Sequence, residues 1–154
     1  MKKAKNFGFG SDQVMLRDSA KKFFRDYGGA DKLHKLVAGN PSPERAPECL
    51  WNPAAWNQMV ELGWTTLALP ERCGGLGMGT VAVAALVEEL GRAALPCPLV
   101  ETINASYLLS ACETEAADAI LDTIASGTAV SLAVTNKAGS WAHADTDVQA
   151  NGDT

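Results

Sequence analysis

The stretch ELGWTTLALPERCGGLGMGT, residues 61–80, connects two predicted helices through a sharp corner. Gly63 follows an apolar stripe, at the place where a left-handed residue commonly ends a helix. The large apolar side chains that come next supply surface for a core, at about 2 kcal/mol for each one fully buried; they are Trp64, Leu67 and Leu69. Pro70 ends this apolar run, so we interpret the stretch as the corner of a helical domain.

The second half of the corner is rich in glycine, with Gly74, Gly75, Gly77 and Gly79. Glycines that open a helix can direct backbone N–H groups at a phosphate, or they can simply permit a tight turn. No Lys-Ser or Lys-Thr pair follows, and no buried strand precedes the glycines. The pattern therefore favours a structural turn over a phosphate site.

Composition indicates a globular protein with a substantial core. The chain has 154 residues, of which 47% are hydrophobic, and a net charge of −5. This acidic balance argues against a nucleic-acid partner. No apolar run approaches the ~18 residues that a membrane span requires, and we expect a cytoplasmic protein.

The cysteines do not indicate a metal site. They are Cys49, Cys73, Cys97 and Cys112, and none forms a CxxC pair. Only His34 and His143 could join them as ligands. Scattered single cysteines are typical of a reducing compartment, although an even number leaves pairing open.

Apolar periodicity predicts helices over residues 11–27, 30–38, 53–62, 81–94, 99–111 and 114–126. Ser11 is predicted to cap the first helix and Gly28 to end it, while Asn52 and Pro53 begin the third. The fourth is apolar on all sides in its first half, which predicts central burial. Glu88 and Glu89 are neighbours in its second half and point about 100° apart, so solvent or Arg92 is their expected partner.

The third, fifth and sixth helices each have a predicted buried face. These faces consist of Trp56, Met59, Val60 and Leu62; of Leu99, Ile103, Tyr107 and Leu108; and of Ala117, Ile120, Leu121 and Ile124. The face of the fifth helix is either core or the wall of a cavity, because periodicity does not separate the two.

The pattern changes after Gly127. TAVSLAVT, residues 128–135, is rich in β-formers and is predicted to be a strand, and VQANGD further on resembles a hairpin turn. A strand without a partner is not stable alone. We therefore expect a helical domain over 1–127 and the beginning of a β-domain over 128–154, completed by further residues or by another chain.

The order of these segments resembles the N-terminal α-domain of acyl-CoA dehydrogenases. The resemblance rests on LRDSAKKFFRD in the first helix, the corner, LVEELGRAALPCPLVET across the central helix pair, and the AVT that leads into the β-region. It implies a mainly α fold, in which an N-terminal helical bundle is followed by the first strands of the middle β-domain.

The resemblance implies a role in lipid metabolism, with fatty acid oxidation as the expected process. In this family a carboxylate base removes the α-proton of an acyl-CoA thioester, and hydride passes from the β-carbon to FAD. Electrons then pass to an electron-transfer flavoprotein or a similar acceptor, and the enzymes are homo- or hetero-oligomers. The base comes from a C-terminal bundle, so no catalytic residue is assigned here, and this chain alone is expected to be inactive.

The resemblance also implies site residues. The family's flavin segment reads roughly VTEPGAGSD, and this chain has VTNKAGSWA over residues 134–142, with Asn and Lys for Glu-Pro, Trp for Asp and one residue fewer. The implied flavin contacts are Leu132, Val134, Thr135 and Ser140, and the implied wall of the acyl pocket is Leu99 and Ile103. The altered loop motivates an alternative, a non-catalytic or half-site subunit of a heteromeric dehydrogenase; a third possibility is a helical interaction module.

Overall fold

The computed structural model describes residues 10–38 and 51–145. These residues form six α-helices and three short 3₁₀ turns. The α-helices are α1 (Ser11–Tyr27), α2 (Ala30–Ala38), α3 (Pro53–Glu61), α4 (Thr80–Arg92), α5 (Leu99–Ser110) and α6 (Glu115–Ala125). The turns are Trp64–Thr66, Glu71–Cys73 and His143–Asp145. All six predicted helices are confirmed, with ends that differ by two residues at most.

The start of α1 differs from the prediction by one residue. Gly10 is the N-cap, and its N–H donates to Oε1 of Gln13 at 2.7 Å, while the Ser11 hydroxyl donates to the neighbouring Asp12 carboxylate. Gly28 ends the helix as predicted. It also permits a close approach, since a Cβ there would lie 2.4 Å from the carbonyl oxygen of Ala93 after α4.

The core lies between α1, α3, α4 and the corner. Trp64 is its centre, because its ring contacts Phe23 edge-on at 5.0 Å and Phe24 at 5.3 Å between centroids. The other buried members of this cluster come from α1, α3, α4, α5 and the corner: Ala20, Phe24, Ala55, Trp56, Met59, Leu67, Ala68, Val83, Leu86, Leu90, Leu99 and Ile103. A second, smaller cluster joins the corner to α6 through Leu69, Cys73, Leu121 and Ile124.

The corner is a structural turn. Gly63 is left-handed with φ 72°, as predicted, and so is Gly74 with φ 76°. The backbone of residues 76–78 folds back onto residues 66–69, where Gly77 N–H donates to Leu69 C=O at 2.7 Å. Gly75 allows this approach, since a Cβ there would lie 2.2 Å from the Leu69 carbonyl oxygen.

Some predicted buried positions are exposed. Val81, at the start of α4, is 53% exposed, so α4 is buried on one side rather than all round. Leu62 is 50% exposed because it lies at the C-cap of α3, beyond the last helical turn. Leu108 and Ile120 are also exposed, because each lies at the edge of its helix face, where no described element covers it.

The predicted strand at residues 128–135 is not confirmed, since the described part of the chain contains no β-ladder. The physical reason is that strand hydrogen bonds require a neighbouring strand. The VQANGD hairpin lies outside the described residues. The division of the chain at residue 127 therefore stays a prediction.

Candidate cofactor and substrate site

Thr102 of α5 fixes the beginning of the predicted cofactor segment. Its hydroxyl donates to the Val130 carbonyl at 3.1 Å and accepts from the Val130 N–H at 3.2 Å. Thr102 is fully buried, and its own carbonyl accepts a hydrogen bond from Ser106. Trp56 adds a second tether, since its indole N–H donates to the Gly127 carbonyl at 2.9 Å. The segment therefore leaves the helical body at a fixed place beside α5.

Residues 131–135 continue the chain beyond the Val130 tether. Among the described residues, their backbone N–H and C=O groups make no hydrogen bond. Leu132 is half-buried, whereas Val134 is 51% exposed and Thr135 is also exposed. Because backbone groups normally find a partner in a native protein, this segment is a ready donor and acceptor row for a neighbouring strand, for water or for a ligand.

The loop that follows is closed on itself by Asn136. The side-chain Oδ1 of Asn136 accepts from Ala138 N–H at 3.0 Å and from Ser140 N–H at 2.9 Å. Its Nδ2 donates to the Asp145 carbonyl at 2.9 Å. Gly139 takes the left-handed conformation, φ 81°, that completes this turn.

Ser140 is part of the same closed loop. Its hydroxyl donates to the Asp145 carboxylate at 2.6 Å and accepts from the Ala142 N–H at 3.2 Å. A hydroxyl has one proton to donate. The Ser140 hydroxyl therefore has a lone pair for a ligand but no free proton. Trp141 next to it is 77% exposed.

These residues fit a flavin in part. The unpaired backbone of 131–135 and the exposed Thr135 hydroxyl suit the polar edge of a flavin ring, which presents both donors and acceptors. Leu132 can pack against it. Ser140 fits less directly, since its proton is committed to Asp145. The resemblance implied all four residues in one segment. Leu132, Val134 and Thr135 make no hydrogen bond among the described residues, whereas the Ser140 hydroxyl keeps only a lone pair, and the contact of all four with a cofactor stays a prediction.

The predicted acyl-wall residues lie in the core. Leu99 and Ile103 are 0% and 2% exposed and pack in the Trp64 cluster. Ile103 follows Thr102 directly, so it points about 100° around α5 from the side that holds Val130. Their contact with an acyl group stays a prediction.

An open apolar cavity of about 390 Å³ lies on another side of α5. Val100 and Glu101 line it together with Leu90, Leu95 and Cys97. Val100 is two residues from Thr102, so it points about 200° away from it on the helix. This cavity therefore faces away from the segment that begins at Val130. Burial raises the pKa of the Cys97 thiol, which favours its protonated form.

The polar groups on α4 are structural. Arg92 donates to Glu88 at 2.6 Å and lies 3.8 Å from Glu89, as predicted for these carboxylates. The hydrogen bond with Arg92 lowers the pKa of Glu88. Over 10–38 and 51–145 no group of three or more His, Cys, Asp or Glu could hold a metal ion. No helix in these ranges is both long and apolar enough to cross a bilayer.

Sequence reasoning missed Thr102, Asn136 and Asp145. Asn136 carries a usable signal, since an Asn side chain commonly accepts from the backbone N–H two residues on, here Ala138, and closes a turn. Thr102 carries no such signal, because a polar residue within an apolar helix face does not indicate which distant backbone groups it binds.

Comparison with known proteins establishes the class. Residues 10–128 match the family described as Acyl-CoA dehydrogenase, N-terminal domain. The match covers most of the chain, so the chain belongs to this family. Its mainly helical fold is the fold of that domain.

Individual relatives agree with this assignment. Acyl-CoA dehydrogenase IpdE2 of Mycolicibacterium smegmatis is 33% identical over 102 residues, 62% of this chain and 33% of that protein. Acyl-CoA dehydrogenase IpdE2 of Mycobacterium tuberculosis is 27% identical over 124 residues, 80% of this chain and 36% of that protein. The solved structure of a variant of the Tcur3481-Tcur3483 steroid ACAD has a TM-score of 0.69 and 26% identity, over 83% of this chain and 34% of that chain. The chain spans about a third of the length of these relatives.

Proposed function

We propose that this chain supplies the N-terminal helical domain, and the start of the middle β-domain, of an FAD-dependent acyl-CoA dehydrogenase. The reaction is the α,β-dehydrogenation of an acyl-CoA thioester. The observation that carries the proposal is the tether of Val130 to Thr102, which presents the unpaired backbone of residues 131–135 beside α5. The family match is its second support.

The residues of this chain bind and orient in the proposed site. FAD, when bound, supplies the hydride acceptor. The backbone at Val134 and Thr135, with the Thr135 hydroxyl, would hold the edge of the ring, and Leu132 would pack against it. Ser140 orders the loop beside them. We assign no catalytic base to this chain, so another part of the assembled enzyme provides it, and the chain alone is inactive.

The proposed acyl site lies against α5. Leu99 and Ile103 lie in the Trp64 cluster and would support the wall of this site from within the core. A wall that excludes water from the thioester makes removal of the α-proton easier. The structural neighbour is named a steroid enzyme. A polycyclic acyl-CoA is therefore the first substrate to test, beside straight-chain acyl-CoA thioesters of fatty acid oxidation.

A second candidate is a half-site subunit of a heteromeric dehydrogenase. It is favoured by the Ser140 hydroxyl, whose proton goes to Asp145 rather than to a ligand, and by the relative named for two components, Tcur3481 and Tcur3483. In this arrangement a second, unlike chain contributes the complete flavin site. In both arrangements the protein is an oligomer of the cytoplasm that passes electrons to an electron-transfer flavoprotein or a similar acceptor.

One purification tests both candidates. The protein is tagged at its own gene, purified from its host and examined by visible absorption before and after anaerobic addition of acyl-CoA. A flavin spectrum that bleaches on addition supports the dehydrogenase. An unlike dehydrogenase subunit in stoichiometric amount supports the half-site arrangement. A purified protein with neither flavin nor a flavin-bearing partner would refute both and leave a helical interaction module.

A further inference from the structure

The loop of residues 136–145 is held by two side chains that no flavin contact requires. Asn136 makes three side-chain hydrogen bonds, to Ala138 N–H, to Ser140 N–H and to the Asp145 carbonyl. Its backbone N–H also donates to the Ser140 carbonyl at 3.2 Å. One residue therefore links both ends of the loop to its middle.

Asp145 closes the loop a second time. Its carboxylate accepts from the Ser140 hydroxyl at 2.6 Å, and its N–H donates to the Ala142 carbonyl at 2.9 Å. A hydrogen bond to an ionised carboxylate is short and stronger than a neutral one. The two ends of the loop, Asn136 and Asp145, are thus joined directly and through Ser140.

We infer that Asn136 and Asp145 are positioning residues, which clamp this loop and so fix Thr135, the residue just before it, in its place at the cofactor edge. The inference rests on the proposed function. Ser140 then acts within the clamp rather than as a direct flavin ligand, which changes the role that the sequence implied for it.

The physical basis is preorganisation. Ordering a flexible loop when a ligand binds reduces the affinity, and a loop that is ordered beforehand avoids that cost. Thr135 itself makes no hydrogen bond among the described residues, so its position is set by its neighbours: the Thr102–Val130 tether on one side and Asn136 on the other. Loss of Asn136 releases one of these two supports.

The experiment compares FAD affinity among variants of the protein purified from its host, after its flavin has been removed. Asn136→Ala is expected to weaken FAD binding about tenfold, because several hydrogen bonds of the loop are lost. Asn136→Asp keeps an acceptor for Ala138 and Ser140 but turns a carboxylate oxygen towards the Asp145 carbonyl, so it is expected to recover only a small part of that loss. Trp141→Ala, in the same loop but exposed, is the matched control and should bind as the wild type does.

Two readouts separate positioning from direct contact. The spectrum of the flavin that still binds is expected to be unchanged in Asn136→Ala and shifted in Thr135→Val, because, of these two residues, only Thr135 would contact the ring. In a double-mutant cycle, Ser140→Ala and Asp145→Ala should be non-additive, since both remove the same hydrogen bond.

Amide hydrogen exchange makes failure of the clamp distinguishable from failure of the proposed function. Ala138 and Ser140 amides should exchange faster in Asn136→Ala, with or without flavin. Faster exchange with unchanged FAD affinity would overturn the positioning role, and so would additive effects of Ser140 and Asp145. A wild-type protein that never binds FAD would overturn the proposed function and this role with it, while protected amides would still show the clamp.

Discussion

The helical body (α1–α6 and the corner) and the segment after Gly127 (residues 131–135) differ in how they satisfy their backbone N–H and C=O groups. In the body, each helix pairs its own N–H and C=O groups, and α1, α3, α4, α5 and α6 bury a face around Trp64 or Leu69. Residues 131–135 pair none of theirs among the described residues and expose Val134. The difference teaches that the body carries the stability of this domain, whereas the segment carries groups left available for another component.

The largest expected effect on the free energy of unfolding is that of a substitution in the helical body. Trp64→Ala should reduce the free energy of unfolding by about 3–5 kcal/mol, because it leaves a cavity among Phe23, Phe24 and their neighbours. Trp141→Ala, the same change in the exposed loop, should alter it by no more than about 0.5 kcal/mol. Urea unfolding followed by circular dichroism measures both; equal losses would contradict the division into body and segment.

The next effect is at the boundary between the two regions. Thr102→Val keeps the shape of the side chain but leaves the Val130 N–H and C=O without their partner, at a cost of about 1–3 kcal/mol. Thr123→Val, at an exposed hydroxyl on α6, is the control and should cost less. Urea unfolding measures both, and exchange of the Val130 amide should accelerate only in Thr102→Val. An unchanged Val130 amide would show that Thr102 is not the tether.

The smallest effect is on the surface of α4. The pKa of Glu88 is lower in the folded protein than in the unfolded chain. The contribution of Glu88 to the free energy of unfolding is therefore fully present above the unfolded pKa, and it is lost as the pH falls through the folded pKa. Glu88→Gln should be slightly less stable than the wild type at neutral pH, and equal to it in acid or at high salt. If the variant is still less stable than the wild type in acid, the loss of stability comes from packing and not from the charge of Glu88.

The sequence predicted the body far better than the segment. Helix positions, the left-handed Gly63 and the burial of Trp64 follow from local periodicity and turn chemistry, which one stretch of chain contains in full. The predicted burial of Leu62, Leu108 and Ile120 was wrong, because periodicity marks an apolar face but does not show how far the neighbouring elements extend over it. The strand at 128–135 depends on a partner strand, and that information is not local.

The candidate site was predicted in the same uneven way. The resemblance located Thr135 and Ser140 within one segment, but it did not indicate that Asp145 holds the Ser140 hydroxyl. Asp145 lies beyond the compared segment, residues 134–142, so the family's pattern carries no information about it. Thr102 was missed because its partner, Val130, is 28 residues away.

Amide hydrogen exchange of residues 131–135, in the protein purified from its host, tests the central claim most directly. The account predicts that these amides are protected when FAD is bound and exchange rapidly once FAD has been removed, while the amides of α4 and α5 remain protected in both states. Equally rapid exchange of residues 131–135 with and without flavin would contradict the claim that this segment forms the edge of the cofactor site.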